Sequence, residues 1–348
     1  MGIKDYLKYI NQEYPNAKSR NYDYVYMDCN YACHYLIYRC NSDTDLYSKI
    51  YDYWDLFSSI VNIGKEIHLI FDGEYDDTED SKSNPKYQTH LLRANAKEKS
   101  KSDSYDSQPI YPKSQILKTF REYMIEVIER YKKINRKGFK IMVNSDEING
   151  EADIKILDTI VNSNQNNILI CSKDSDMILI SHILCIKKSI KIDIMINFRP
   201  IKFIDIEQFS KYKMDYAIIV LLLGNDYLPK ISNVNYLKII NAYDKYIKFE
   251  EPIISNEQIN TDNLVKFIGY LISCSDKKIK FKFDKLNLPR FSIYYNNFIW
   301  CLNHYKALSN SNKYIQEKIS HDSETNKSSV KLKHCVDIYN FINHNYEN

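Results

Sequence analysis

The stretch "NNILICSKDSDMILIS", Asn166 to Ser181, decides how this chain is read. An apolar, strand-forming run stops on two aspartates, Asp174 and Asp176, one residue apart, and then resumes. Apolar flanks on both sides argue against a simple surface loop. In open α/β sheets ligands bind beyond the carboxyl ends of the strands, so an acid pair closing an apolar run marks a strand end that faces a ligand.

Outward from this run, similar segments recur: "YDYVYMDC" (22–29), "EIHLIFDG" (66–73), "GFKIMVNS" (138–145) and "IKIDIMINF" (190–198). Segments 45–62, 113–135 and 151–163 carry the 3.6-residue spacing of helices. Strands alternating with helices predict an α/β domain, with a mostly parallel central sheet flanked by helices. That domain is expected over residues 1–235. A polar insertion over 74–108 interrupts it, opening with the acidic "EYDDTED" and forming either a surface insertion or a functional lid. Residues 236–348 read as a helical C-terminal extension, and no internal repeat is evident.

The 348 residues are 44% hydrophobic and 14% aromatic, enough for a packed core. Forty-eight basic against 45 acidic residues give a formal charge of +3, too even to identify a polyanion partner, so any basic site is local. Eight cysteines at 29, 33, 40, 171, 185, 274, 301 and 335 include no C-x-x-C pair. They read as buried free thiols in a reducing compartment rather than as zinc ligands. The start "MGIKDYLKYI" carries no signal-peptide apolar region, and no apolar run approaches the ~20 residues that span a bilayer. An intracellular protein without membrane association is expected. The 31 tyrosines read as compositional bias.

Acids close the other runs as well. Asp28 ends "VYMD", Asp72 ends "LIFDG", Glu151 and Asp153 open a helix in "NGEADIKIL", and Asp226 follows the apolar "LLLGND". Of seven glycines in the chain, Gly73, Gly150 and Gly224 each adjoin one of these acids, which predicts tight backbone turns there. Carboxylates gathered in one place repel one another and titrate abnormally unless cations neutralise them. Two divalent ions resolve the repulsion. Carboxylate oxygens suit Mg²⁺ or Mn²⁺, and a pair of such ions can activate water and stabilise the leaving oxygen of a phosphodiester.

In this order the stretches resemble the 5′→3′ exoribonuclease (Xrn) family, a branch of the FEN-like/PIN-like nuclease superfamily. "MGIKDYLKYINQEYPN" is similar to its N-terminal signature, and "YMDCNYACH" to its Asp-x-Asn-x-x-x-His segment. "NGEADIKIL" resembles its Gly-Glu-x-Glu-His-Lys-Ile stretch, "SKDSDMILI" its Asp-x-Asp-Leu-Ile run, and "LLLGNDYLP" its Gly-Asn-Asp-Phe-Leu-Pro block. The resemblance implies a PIN/FEN-like core whose metal-binding, catalytic acids are Asp28, Asp72, Glu151, Asp153, Asp174, Asp176 and Asp226. It further implies that His34 contacts the 5′-terminal nucleotide. The family's 5′-phosphate pocket falls on "NPKYQTHLLRANAK", where Lys86, His90, Arg93 and Lys97 share one face at helical spacing. His90 and Ala94 stand where the family has Gln and Arg, and Asp153 shortens the family's Glu. "YYNNFIWCLNHYKA" (294–307) resembles the start of the family's second region, with Trp300 read as core.

The activity so implied is metal-dependent 5′→3′ degradation of single-stranded RNA bearing a 5′-monophosphate, releasing mononucleotides. Two alternatives stand beside it. One is a FEN-like 5′ DNA nuclease, disfavoured because no glycine-rich hairpin follows Gly224. The other is a catalytically weak or silent RNA-binding scaffold, disfavoured because all seven positions remain acidic.

Overall fold

The computed structural model describes residues 6–13, 20–38, 40–73, 105, 110–198, 200–223, 235–248 and scattered positions from 251 to 271. In chain order the elements are α1 (Tyr6–Glu13), β1 (Arg20–Asp28), α2 (Cys29–Ile37), α3 (Asp43–Ile60), β2 (Val61–Ile70), α4 (Gln115–Asn135), β3 (Lys140–Asn144) and α5 (Ala152–Val161). They continue with β4 (Ile168–Cys171), α6 (Asp176–Lys188), β5 (Ile192–Phe198), β6 (Ile201–Asp205), a 3-10 helix (Ile206–Tyr212), α7 (Asp215–Leu221), α8 (Tyr236–Tyr246), β7 (Ile254–Ser255) and β8 (Gln258–Ile259). The chain divides into two compact units, Tyr14–Ser210 and a second composed of Met1–Glu13 with Lys211–Asn348.

The first unit is built on a six-stranded sheet in the order β3-β2-β1-β4-β5-β6. All neighbours run parallel except β5 and β6. The chain steps outward from β1 to β2 and β3, then returns across the sheet to β4. The strand order therefore reverses between β1 and β4, where an open α/β sheet leaves a crevice at its carboxyl edge.

Two long helices cover one face of this sheet, and each shows why its residues choose a helix. In α3, Ser42 accepts a hydrogen bond from the Asp45 amide at 3.2 Å, and Asp43 and Asp45 lie in the first turn, where the helix dipole favours negative charge. Leu46, Ile50, Tyr53, Trp54 and Phe57 then fall on its buried face. In α4, Ser114 is the cap and Ile116, Leu117, Phe120, Met124, Val127 and Ile128 make the stripe. The helix ends where Arg136 turns left-handed at φ 49°. These faces join Val25, Met27, Leu69 and Phe71 of the sheet region in one core cluster.

Three features depart from the sequence expectations. The apolar run after Asp176 is helix α6 rather than a second strand; Met177, Ile178, Leu179, Ser181, His182, Ile183 and Leu184 are all buried, so its pattern is apolar nearly all round and carries no amphipathic signal. A further helix, α2, begins directly on Asp28. An antiparallel β6 closes one edge.

In the second unit several tyrosines have structural work. Tyr216 hydroxyl lies 2.7 Å from that of Tyr6 and 2.8 Å from that of Tyr236. Buried Asp215 accepts from Tyr243 hydroxyl and from the amides of Ile253 and Ile254 at 2.8 and 2.7 Å. Cys29, Cys33, Cys40 and Cys171 are buried free thiols, and Cys185 is half-buried. Among the described residues no helix is long and apolar enough to cross a membrane.

Candidate functional site

Each acid of the first unit takes its place from a strand exit or a helix start. Asp28 is both the last residue of β1 and the cap of α2, its Oδ1 accepting from the Tyr31 amide at 3.0 Å. Asp72 lies two residues past β2: Asn30 Oδ1 accepts from its amide at 2.9 Å, and its own Oδ1 accepts from the Ala152 amide at 2.7 Å. Asp72 thereby caps α5, where Glu151 is the N-cap residue and Asp153 lies in the first turn. Asp174 follows β4. Its amide donates to Ser172 Oγ at 3.1 Å and its Oδ1 accepts from the Asp176 amide at 3.0 Å, at the start of α6. Ser172 Oγ in turn donates to Asp28 Oδ2 at 3.4 Å, a long bond that links the two strands flanking the switch point.

Two glycines allow the backbones to come this close. A Cβ on Gly73 would meet Ile148 O at 1.8 Å and Asn149 Cα at 2.9 Å, because the turn after β2 is pressed against the loop entering α5. Gly73 N donates to Gly150 O across that contact at 2.8 Å. Gly150 itself sits at φ +105°, a conformation that L side chains rarely adopt. The tight turns expected beside Asp72 and Glu151 are present; Gly224 lies outside the described residues.

The electrostatics register the convergence. The Asp28 carboxyl is pushed up to about 8, first by burial and then by the negative charges of Asp72, Asp153 and Asp174, against the downward pull of the Tyr31 amide. Three helix N-termini, those of α2, α5 and α6, carry these acids and partly offset their charge. Lys155 adds a nearby cation. Burial lowers the ammonium's pKa, opposed by Asp72 and Asp146. Asp146 accepts from Arg121 Nη1 at 2.6 Å and from the Lys113 amide at 2.5 Å, tying the β3–α5 loop to α4.

The structure thus brings Asp28, Asp72, Asp153 and Asp174 into one electrostatic group, with Glu151 and Asp176 at the adjoining helix starts. Among the described residues, no three His, Cys, Asp or Glu side chains close around a common point as a ligand shell would. The donor set nevertheless fits a hard divalent cation. It is all carboxylate oxygen, and a carboxyl held as high as Asp28, first by burial and then by its acidic neighbours, is one that positive charge would bring back into the ionised form. His34 is exposed on α2. Asp226, Lys86, His90, Arg93 and Lys97 lie outside the described residues, as does the 294–307 stretch.

Sequence reasoning passed over Ser172, Asn30 and Lys155. Ser172 lies beside a candidate acid in the sequence and gives no other signal, whereas Asn30 is the Asn of the Asp-x-Asn-x-x-x-His segment, which carried it without assigning it a role. Lys155 is a lone cation in the otherwise apolar "IKIL", buried with 6% of its surface exposed, and it stands at the Lys of the Gly-Glu-x-Glu-His-Lys-Ile stretch; both were available clues.

Residues 1–194 match the family model described as XRN 5′-3′ exonuclease N-terminus. No curated protein matches the chain. Among solved structures, the catalytic core of Rad2 in complex with DNA substrate is similar with a TM-score of 0.40 and 14% identity, over 84% of this chain and 84% of that chain. A bacteriophage T5 flap endonuclease in a complex with DNA and metal ions is similar with a TM-score of 0.38 and 14% identity, over 88% of this chain and 100% of that one.

Proposed function

The chain belongs to the XRN 5′-3′ exonuclease N-terminus family and is therefore a nuclease, a phosphodiester hydrolase; on that premise we propose that it degrades single-stranded RNA with a 5′-monophosphate from its 5′ end to mononucleotides. The observation that carries the proposal is the position of Asp28, at the β1/β4 switch point, with the Asp72, Asp153 and Asp174 charges acting on it. On this reading residues 1–235 form the nuclease region and 236–348 begin the family's second region.

Asp28, Asp72, Glu151, Asp153, Asp174, Asp176 and Asp226 would hold two Mg²⁺ or Mn²⁺ ions. When bound, those ions supply Lewis acidity, which polarises the scissile phosphate and makes water a stronger nucleophile. The chain's own part is orientation. Ser172 fixes Asp28 relative to Asp174, Asn30 fixes the backbone at Asp72, and Ala152 N fixes the Asp72 carboxylate. Asp28, held at about 8 in the fold, would have to be ionised to hold a cation, so loading would be favoured as pH rises. Lys86, His90, Arg93 and Lys97 would grip the terminal phosphate, setting the direction of attack. His34, exposed on the helix that Asp28 caps, would stack on the first base.

The test offers the full chain matched RNAs with 5′-monophosphate, 5′-hydroxyl or 5′-triphosphate ends and a flap DNA, in Mg²⁺ or in EDTA. Mg²⁺-dependent mononucleotide release from the monophosphate RNA alone is expected, and Asp174→Ala abolishes it. Equal rates on hydroxyl ends remove the phosphate pocket. Cleavage of the flap instead favours a DNA nuclease, and silence on every substrate favours a binding protein.

A further inference from the structure

Three rungs join the exit of β2 to the start of α5. Gly73 N donates to Gly150 O at 2.8 Å, Ala152 N donates to Asp72 Oδ1 at 2.7 Å, and Lys155 Nζ donates to Phe71 O at 2.8 Å. The third differs from the others because the same ammonium also donates to Ser145 O at 3.2 Å, one residue past β3. The β2–β3 ladder ends at the pair Ile70 and Asn144, with one further bond from Phe71 N to Asn144 O. Lys155 stands where that pairing runs out. It bridges the two strand exits by their carbonyls and anchors both to the first turns of α5.

Burying an ammonium in this position costs desolvation, and a neutral side chain would fill the space without it. A lysine has what the place requires: several donors on one atom, at the end of a stem long enough to reach two carbonyls from a helix. Those carbonyls flank the residues of interest. Phe71 immediately precedes Asp72, and Ser145 opens the loop that delivers Glu151 and Asp153.

We infer that Lys155 is a positioning residue of the carboxylate centre, its ammonium setting the separation between Asp72 on one side and Glu151 and Asp153 on the other. The inference rests on the cation-binding reading above. In this role Lys155 acts through the two strand exits, whose carbonyls take its ammonium's hydrogen bonds.

The experiment uses the full chain, as wild type and as Lys155→Met, Lys155→Arg and Asp193→Ala. The last perturbs the opposite, amino-terminal end of the sheet and serves as a destabilised control. Tm is followed against Mn²⁺ alone, and kcat and KM on monophosphate RNA are measured beside it. Lys155→Met is expected to raise the Mn²⁺ midpoint about tenfold or more, the range seen when groups supporting metal ligands are removed. Its kcat should fall about 100-fold with KM for RNA nearly unchanged, as displacement by about 1 Å predicts. Lys155→Arg should recover part of both, and Asp193→Ala should lower Tm while keeping the wild-type midpoint.

A wild-type Mn²⁺ midpoint in Lys155→Met overturns the inference alone. If that variant fails to fold, Lys155→Arg decides: its longer, planar head cannot reproduce both bonds at the lysine's geometry, so an unshifted midpoint there overturns the inference equally. A wild-type chain whose Tm does not respond to Mn²⁺ overturns the cation reading, and this inference with it.

Discussion

Gly73→Ala isolates the close approach on which the candidate site depends. The added Cβ would lie 1.8 Å from Ile148 O and 2.6 Å from Ile148 C, both backbone atoms, where real Cβ contacts essentially never fall below 3.0 Å. No rotamer relieves such a clash, so the loop entering α5 must withdraw by more than about 1 Å, breaking the 2.8 Å bond from Gly73 N to Gly150 O. Overpacking of this kind costs about 1–3 kcal/mol and the lost bond about 1 more. At ~2–4 °C per kcal/mol for a unit of this size, Tm should fall by roughly 5–15 °C. The catalytic loss should be larger than the stability loss suggests. The withdrawn loop carries Glu151 and Asp153 away from Asp72, and a misplacement near 1 Å costs on the order of 100-fold in rate. Urea and thermal unfolding give the first quantity and Mg²⁺-dependent RNA hydrolysis the second. A Gly73→Ala chain within about 0.5 kcal/mol of wild type and fully active would refute the contact between these two segments.

Other expectations follow from single interactions. The Asp28 carboxyl, ordinarily near 3.8 and held at about 8 in the fold, binds its proton more readily folded than unfolded. That stability is fully present below about pH 4 and is lost as pH rises toward 8, so in EDTA Tm should decline over this window while the Mn²⁺ increment grows; a flat profile in both refutes it. Asp193 is buried at the far end of the sheet, accepting from Arg20 Nη1 and Tyr22 hydroxyl, each at 2.5 Å. Asp193→Ala should cost about 3 kcal/mol by urea unfolding, the low end for breaking a buried pair, since Arg20 is 34% exposed. Lys188 Nζ ties down the carbonyls of Ile160, Val161 and Ser163 at the end of α5, and Lys188→Met should cost about 1–3 kcal/mol without moving the Mn²⁺ midpoint.

Legibility differed from element to element for physical reasons. The helix α4 announced itself because one face is buried and the other wet, which writes a 3.6-residue period into the sequence. The helix α6 did not, because burial on nearly every side erases that period and leaves a run that reads like a strand. Among the acids, Asp28, Asp72 and Asp174 could be singled out because each closes an apolar strand, and a carboxylate there needs a reason. Ser172 could not. A serine near a turn has many uses, and only the fold shows that Ser172 bonds the acid of a strand 144 positions earlier in the chain.

By itself, the sequence determined that this is a mostly parallel α/β domain with acids at its strand exits, because strand and helix periodicities and the placement of charge are local properties. Tertiary structure alone decided which exits adjoin one another. The order β3-β2-β1-β4 sets Asp28 against Asp174 across the switch point, and Lys155 and Gly73 fix how closely the β2 exit approaches α5. Strand order and backbone approach are settled by burial and hydrogen bonding summed over the whole sheet, so no local stretch of residues encodes them.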